Sequence, residues 1–367
     1  MTTPTPTGLR DPKTTRRALL RWFDAHRREL PWRGSRDPWA ILVSEIMLQQ
    51  TTVAAVTPYF ERFLARWPAP ADLARASRDE LLSAWAGLGY YRRAHMLMDA
   101  ATRMADGCPQ DAAGLAGLPG VGEYTAAAVA SIAFGEPVAA VDGNVERVVS
   151  RLAALPGDPR KAAGKRAVRR AAQALLDTRR PGDFNQAVMD LGSAICRPRD
   201  PRCEDCPLSK TCEGFATGRP ERFPELPPRP KPVPVVRAVA VVRRAGKLLL
   251  TERTESPNAG FCELPGLELD GARLDEHGAP LDAGAALREW LSATHGLTLR
   301  PGEELPLHRH SITRYRLRVH PVLGTLSSGR VTAPLHWGRP DDGRPLTTAT
   351  RRILSRSLPE LFETESP

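Results

Sequence analysis

Along the first half of the chain the apolar residues recur at helical spacing; along the second they fall into shorter, strand-like runs. Residues 14–28 read as a helix, with Leu19, Leu20 and Phe23 on one side and arginines on the other. Asp37 before Pro38 starts a second helix, a capping side chain ahead of a proline that suits the first turn. Its body, residues 39–50, is apolar nearly all round, which predicts burial. Residues 53–66 carry the stripe Val56, Phe60, Phe63, Leu64. Ser77 caps a short helix with Asp79 and Glu80 in its first turn. A weak helix over 111–117, a glycine-rich turn and the helical pattern Ala126, Val129, Ala130, Phe134 follow. Helices over 145–155, 165–177 and 183–196 close the series, the last of this region.

Proline density then divides the chain. Residues 219–234, with Pro227-Pro228 and Pro230-Lys231-Pro232, read as a semi-rigid linker. Beyond it, residues 235–242 and 247–250 predict strands joined by a hairpin through Ala245-Gly246. Residues 281–294 predict a helix and 315–326 a further strand. The reading is a two-domain protein: a disordered tail over 1–14, a mostly α domain over 15–218, the linker, and an α+β domain over 235–360.

Composition narrows the partner. The 367 residues carry a formal charge of +10, and a basic protein of this kind favours a polyanion, nucleic acid ahead of anionic membrane. No amphipathic anchor, long apolar run or signal peptide is visible, which predicts a cytoplasmic protein with no membrane partner. In a reducing interior the six cysteines are expected as thiols or metal ligands.

The candidate chemistry lies at five places. The turn Leu118-Pro119-Gly120-Val121-Gly122-Glu123-Tyr124 reads as a helix-hairpin-helix. Gly120 and Gly122 bring bare backbone close to a ligand, and the N–H groups of the following helix suit a phosphate of DNA. Glu45, mid-way along an apolar helix, loses hydration, so its pKa should rise; it is either a general acid or an ion-paired buried carboxylate. Asp142 caps the helix after the hairpin and, paired with Glu45, supplies the two carboxylates in unlike settings that glycosyl chemistry uses. Gln49-Gln50-Thr51-Thr52 and Tyr90-Tyr91-Arg92-Arg93 offer amides, rings and cations that could enter a base stack or hold phosphates, with Tyr91 expected in the core. Cys196, Cys203, Cys206 and Cys212, spaced C-x6-C-x2-C-x5-C, suit a [4Fe–4S] cluster better than zinc, which prefers two close pairs. Arg197, Arg199 and Arg202 lie on the loop between the first two and look like phosphate contacts.

Taken together, Leu30-Pro31-Trp32-Arg33, residues 44–51, Gly87-Leu88-Gly89-Tyr90-Tyr91, the hairpin, Val141-Asp142-Gly143-Asn144-Val145, Phe184-Asn185-Gln186-Ala187 and the four cysteines resemble the MutY-type adenine DNA glycosylases of the helix-hairpin-helix, iron–sulfur superfamily. The resemblance covers residues 16–212 and implies a monomeric enzyme that flips adenine, mispaired with 8-oxoguanine or guanine, out of double-stranded DNA and removes it. It implies that Glu45 protonates the base and then activates water, that Asp142 stabilises the sugar cation or bonds to it, and that Tyr124 and Asn144 support them. Trp32, Arg33 and Gln186 match the adenine pocket; Gln50, Thr51, Leu88 and Tyr90 match positions that wedge into the duplex. Two rivals stay open. An endonuclease III-like glycosylase with lyase activity would carry a nucleophilic Lys where this chain has Tyr124, and a non-catalytic damage reader would need neither Glu45 nor Asp142.

The second half resembles the Nudix-like domain of the same glycosylases, with Glu263-Leu264-Pro265-Gly266 matching its loop. Residues 288–293 lack the run of glutamates that would hold magnesium, so recognition of 8-oxoguanine is the expected role. Where relatives carry Phe-Ser-His, this chain has Ile312-Thr313-Arg314: an apolar knob, a hydroxyl, and a permanent charge better suited to a phosphate than a base.

Overall fold

In a computed structural model of the protein, residues 7–228, 230–254, 260–312, 314–340 and 346–361 are described. They form two compact units that divide between Pro227 and Pro228.

The first unit is helical. Its helices are α1 (Pro12–His26), α2 (Pro38–Leu48), α3 (Val53–Arg66), α4 (Pro70–Ala74), α5 (Arg78–Trp85), α6 (Arg92–Met104), α7 (Ala112–Leu115), α8 (Glu123–Ala133), α9 (Gly143–Leu152), α10 (Ala162–Leu175), α11 (Pro181–Ala194) and α12 (Glu213–Ala216). The capping residues act as their chemistry dictates: Asp37 accepts from the Trp39 and Ala40 N–H groups, Ser77 from Glu80, and Asp142 from Val145. α1, α9 and α11 begin two residues earlier than the apolar pattern suggests: the capping side chains of Asp11 and Asp142 set the first two starts, and Pro181 in the first turn the third. A short helix, α12, follows α11, so the helix over 183–196 is not the last.

Two separate cores hold this unit together. One gathers α2 to α8 around Trp39, Phe60, Phe63, Trp85 and Leu97. The other joins the chain's first helix to its last long ones through Leu19 and Phe23 of α1, Val145 and Val149 of α9, Val168 of α10, and Phe184 and Leu191 of α11. α2, apolar on nearly every side, is buried on nearly every side. Trp39 fills the first core and donates its indole N–H to the Trp67 carbonyl at 3.0 Å.

The second unit is a sheet with a helix on each face. Its strands are β1 (Val233–Arg244), β2 (Lys247–Glu252), β3 (Cys262–Glu263), β4 (Gly266–Glu268), β5 (Thr298–Glu304), β6 (His308–Ile312), β7 (Tyr315–Ser328) and β8 (Leu335–Gly338); its helices are α13 (Ala283–His295) and α14 (Thr348–Ser357). The main path runs β3-β2-β1-β7-β5, with β4 on β1, β6 on β7 and β8 on β2. Successive residues of β1 serve opposite faces: Val236, Ala238, Ala240 and Val242 pack with α13, while Val239 and Val241 pack with α14. Ala245 and Gly246, both at positive φ, make the tight turn between β1 and β2. β3, β4, β5, β6, β8 and α14 are additions to the sequence reading, and β1 and β7 pair in parallel.

Candidate active site and nucleic-acid interface

The hairpin comes first because it places α8. Gly120 has a φ of +75°, and a Cβ there would stand 2.7 Å from the Met96 Cβ, so the turn needs glycine twice over. Gly122 caps α8 without any side chain, leaving the first N–H groups of α8 free of a side-chain cap. A phosphate oxygen suits that place.

From the second position of α8, Tyr124 donates its hydroxyl to Glu45 Oε2 at 2.7 Å, joining α8 to α2. Burial pushes the Glu45 carboxyl up to about 7; the Tyr124 hydrogen bond and Arg33 pull it down, and Asp142 pushes it up. The side chain keeps some accessible surface, all of it toward the cleft it lines. Burial and the two carboxylates drive the Tyr124 phenol far above its ordinary range, so it stays a neutral donor.

Asp142 stands at the start of α9. Its Oδ1 accepts from the Val145 N–H at 2.7 Å, and its Oδ2 accepts from Asn144 Nδ2 at 2.8 Å. Asn144 is in turn held by Arg147, which also donates to the Gly192 and Cys196 carbonyls at 2.9 and 2.8 Å. A side chain at Gly192 would meet Asn144 at 2.7 Å, so the bare glycine lets α11 approach α9 there.

A cleft of about 490 Å³ brings together Trp32, Arg33, Glu45, Gln50, Thr51, Tyr124, Asp142, Asn144 and Gln186. Trp32 is core as well as lining, edge-on to Phe60. Arg33 donates to Asp190, a residue of α11 only 2% exposed, and Arg28 donates to the same carboxylate at 3.0 Å. Neither Arg28 nor Asp190 stood out in the sequence, although an acid within the apolar face of 183–196 was a readable signal.

The wedge residues divide. Gln50 and Tyr90 both hold left-handed backbone, φ 58° and 51°, and Tyr90 is 58% exposed. Leu88 is 6% exposed and packs with the first core, beside the left-handed turn that carries Tyr90. Tyr91 is half-buried against the same core. Arg93, read from the sequence as a possible phosphate contact, is buried. Its buried guanidinium donates to the Ile46, Met47 and Gln49 carbonyls at the end of α2, to Thr51 Oγ1, and to the Leu88 and Gly89 carbonyls. One cation therefore ties both wedge loops to the helix that carries Glu45.

Cys196, Cys203, Cys206 and Cys212 line a single void beneath Arg151 and Phe215. Among the described residues no three His, Cys, Asp or Glu side chains close on one metal ion. Burial pushes the Cys206 and Cys212 thiols up to about 12 and about 11. Buried Arg151 braces the loop, donating to the Arg197 and Pro198 carbonyls at 2.7 and 3.0 Å and to Cys196 Sγ at 3.5 Å. Arg197, Arg199 and Arg202 are exposed; Arg202 pairs with Asp205.

In the second unit, Ile312 ends β6, 38% exposed, and Arg314 lies over the Tyr315 ring at 5.3 Å. Thr313 falls outside the described residues.

Residues 43–176 match the family of HhH-GPD superfamily base excision DNA repair proteins. An adenine DNA glycosylase of Mus musculus is 40% identical over 261 residues, 67% of this chain and 50% of that protein. An adenine DNA glycosylase of Mycolicibacterium smegmatis is 43% identical over 207 residues, 55% of this chain and 70% of that protein. The chain thus spans about half the length of the mouse relative. Among solved structures, a thermostable thymine-DNA glycosylase is 32% identical with a TM-score of 0.52, covering 56% of this chain and 97% of that one.

Proposed function

Since the chain belongs to the adenine DNA glycosylases of the HhH-GPD superfamily, we propose that it is a monofunctional base-excision enzyme that removes adenine mispaired with 8-oxoguanine or guanine in double-stranded DNA. The observation that carries the reading is Glu45, buried, bonded to Tyr124 and poised near neutrality in one cleft with Asp142.

The adenine, flipped from the stack, enters the cleft against Trp32, Arg33 and Gln186. Glu45 gives its proton to N7 of the base. The bond between C1′ and N9 then breaks, its electron pair leaving with the adenine. Asp142 is held in place by Val145 and Asn144 and stabilises the positive charge that develops on the sugar. Glu45, now a carboxylate beside the Tyr124 hydroxyl, takes a proton from water as the water adds to C1′, and an abasic site remains. With a phenol at 124 in place of an amine, no Schiff base forms there and strand cleavage is not coupled to excision.

The four cysteines fit one [4Fe–4S] cluster: they face one void, and burial there raises the Cys206 and Cys212 thiols. When bound, the cluster would fasten loop 196–212 and with it the exposed Arg197, Arg199 and Arg202. The second unit is read as a Nudix-like lesion-recognition domain, with Ile312, Thr313 and Arg314 at its reading hairpin.

The test is excision from duplexes carrying adenine opposite 8-oxoguanine, adenine opposite guanine, and thymine opposite guanine, each read with and without alkali. Adenine release, with scission only after alkali, is expected. Preferential thymine release, or nicking with stoichiometric borohydride trapping, overturns the reading. Arg314→Ala should weaken both adenine duplexes alike, and Thr313→Ala only the preference for 8-oxoguanine.

A further inference from the structure

Helix α10 carries its charge at the wrong end. Lys161 caps it, Lys165, Arg166, Arg169 and Arg170 fill its first two and a half turns, and its last turn holds no base. The first turn holds no acid. The helix dipole favours the reverse arrangement. Lys161 with Lys165, Lys165 with Arg169, and Arg166 with Arg170 are also like-charged neighbours four residues apart, which repel one another. All five side chains are exposed, and the four within the helix fall in an arc of about 140° at 3.6 residues per turn. Among the described residues, their one ion pair is between Arg169 and Glu123. Neutral residues at these places would make a more stable helix, so the cations are explained by something outside the fold.

The position of α10 says what that is. Gln173 donates to the Pro137 carbonyl at 2.7 Å and accepts from the Ala139 N–H at 3.0 Å, fastening α10 to the segment that leads into Asp142. Arg16 holds the same C-terminal end, donating to the Ala174 and Leu175 carbonyls. Arg169 pairs with Glu123, the first residue of α8 beyond the hairpin glycine. Lys165 acts on Glu146, in the first turn of α9 just behind Asp142. These two carboxylates stand in the first turns of the helices that carry Tyr124 and Asp142, where they would repel a phosphate backbone. α10 offsets both, and Arg166 and Arg170 remain exposed and unpaired among the described residues.

We propose that the basic face of α10 is a second contact for the DNA backbone, adjoining the hairpin and extending the footprint beyond the cleft. The proposal rests on the reading of the protein as a DNA glycosylase. Its test compares two full-length variants that lose equal charge. One combines Lys165→Ala, Arg166→Ala and Arg170→Ala; the other combines Arg17→Ala, Arg21→Ala and Arg27→Ala on α1. Affinity for an undamaged duplex is measured against salt concentration, and thermal unfolding is followed in parallel. The α10 variant should bind more than tenfold more weakly, its slope of log affinity against log salt should be shallower by about two to three, and its melting temperature should be equal or higher. The α1 variant should keep the wild-type slope. Equal losses in both variants, an unchanged slope in the α10 variant, or a lower melting temperature for it overturns the proposal. Adenine excision by the wild-type protein and the α1 variant is read in the same preparations, so failure of the glycosylase reading appears there and not in the comparison.

Discussion

Tyr124 and Glu45, 79 positions apart, share a hydrogen bond of 2.7 Å that sets opposite demands on one carboxyl. Burial favours the protonated acid, and the phenol favours the carboxylate. The result, about 7, is where a group that must give a proton and then take one back is best placed.

Tyr124→Phe removes the interaction that lowers the Glu45 pKa, so the carboxyl titrates at higher pH. Single-turnover excision needs the protonated acid, and its alkaline limb should therefore move upward in pH. A pH profile of the variant measures this. An unmoved or downward-shifted limb would show that the hydroxyl does not tune Glu45.

Glu45→Gln should cut excision by at least about 10²-fold while duplex binding persists. It should also stabilise the protein in one pH window. The wild-type carboxyl is raised from 4.5 to about 7 on folding, so its ionisation opposes the folded state. That cost is absent below pH 4.5, grows between 4.5 and about 7, and is complete above, on the order of 3 kcal/mol. Denaturant unfolding at pH 5 and pH 8 checks the sign: the variant gains stability at pH 8 and little at pH 5. A gain of equal size at both would disprove the burial argument.

Arg93→Met keeps an apolar stem and removes the guanidinium donor from the carbonyls of Ile46, Met47 and Leu88, while Gly89 keeps the Trp85 indole N–H. The expected loss is roughly 3–5 kcal/mol, the scale of a buried charged network broken on one side. Urea unfolding reads it. A loss below about 1 kcal/mol would mean that water replaces the guanidinium and that the wedge loops do not depend on it.

Anaerobically purified protein should contain about four irons and four sulfides per chain. Cys206→Ser should lower that content and expose loop 196–212 to limited proteolysis. One zinc per chain without sulfide would refute the cluster.

Much of the site was legible because it is local. The apolar surroundings of Glu45 lie within its own helix, the caps at Asp37 and Asp142 act on residues two or three positions away, and the four cysteines sit within 17 residues. Gly120 of the hairpin declares a backbone that only glycine adopts easily. The apolar run over 235–242 and the pair Ala245-Gly246 likewise announced β1 and its turn to β2.

What the chain could not state from local pattern was which distant groups meet. The Asp190 carboxylate receives Arg28 and Arg33 from about 160 positions away. Arg93 looked like a phosphate ligand and is a buried staple, and the burial of Leu88 in the first core was not readable from its own turn. β1 and β7 pair in parallel across some 70 intervening residues, which no hairpin signal announces. Helix starts, caps and tight turns follow from sterics and hydrogen bonds inside a few residues, so the sequence alone determines them. The fate of a charged or apolar side chain is decided by the surface that folds over it, and that surface comes from elsewhere in the chain.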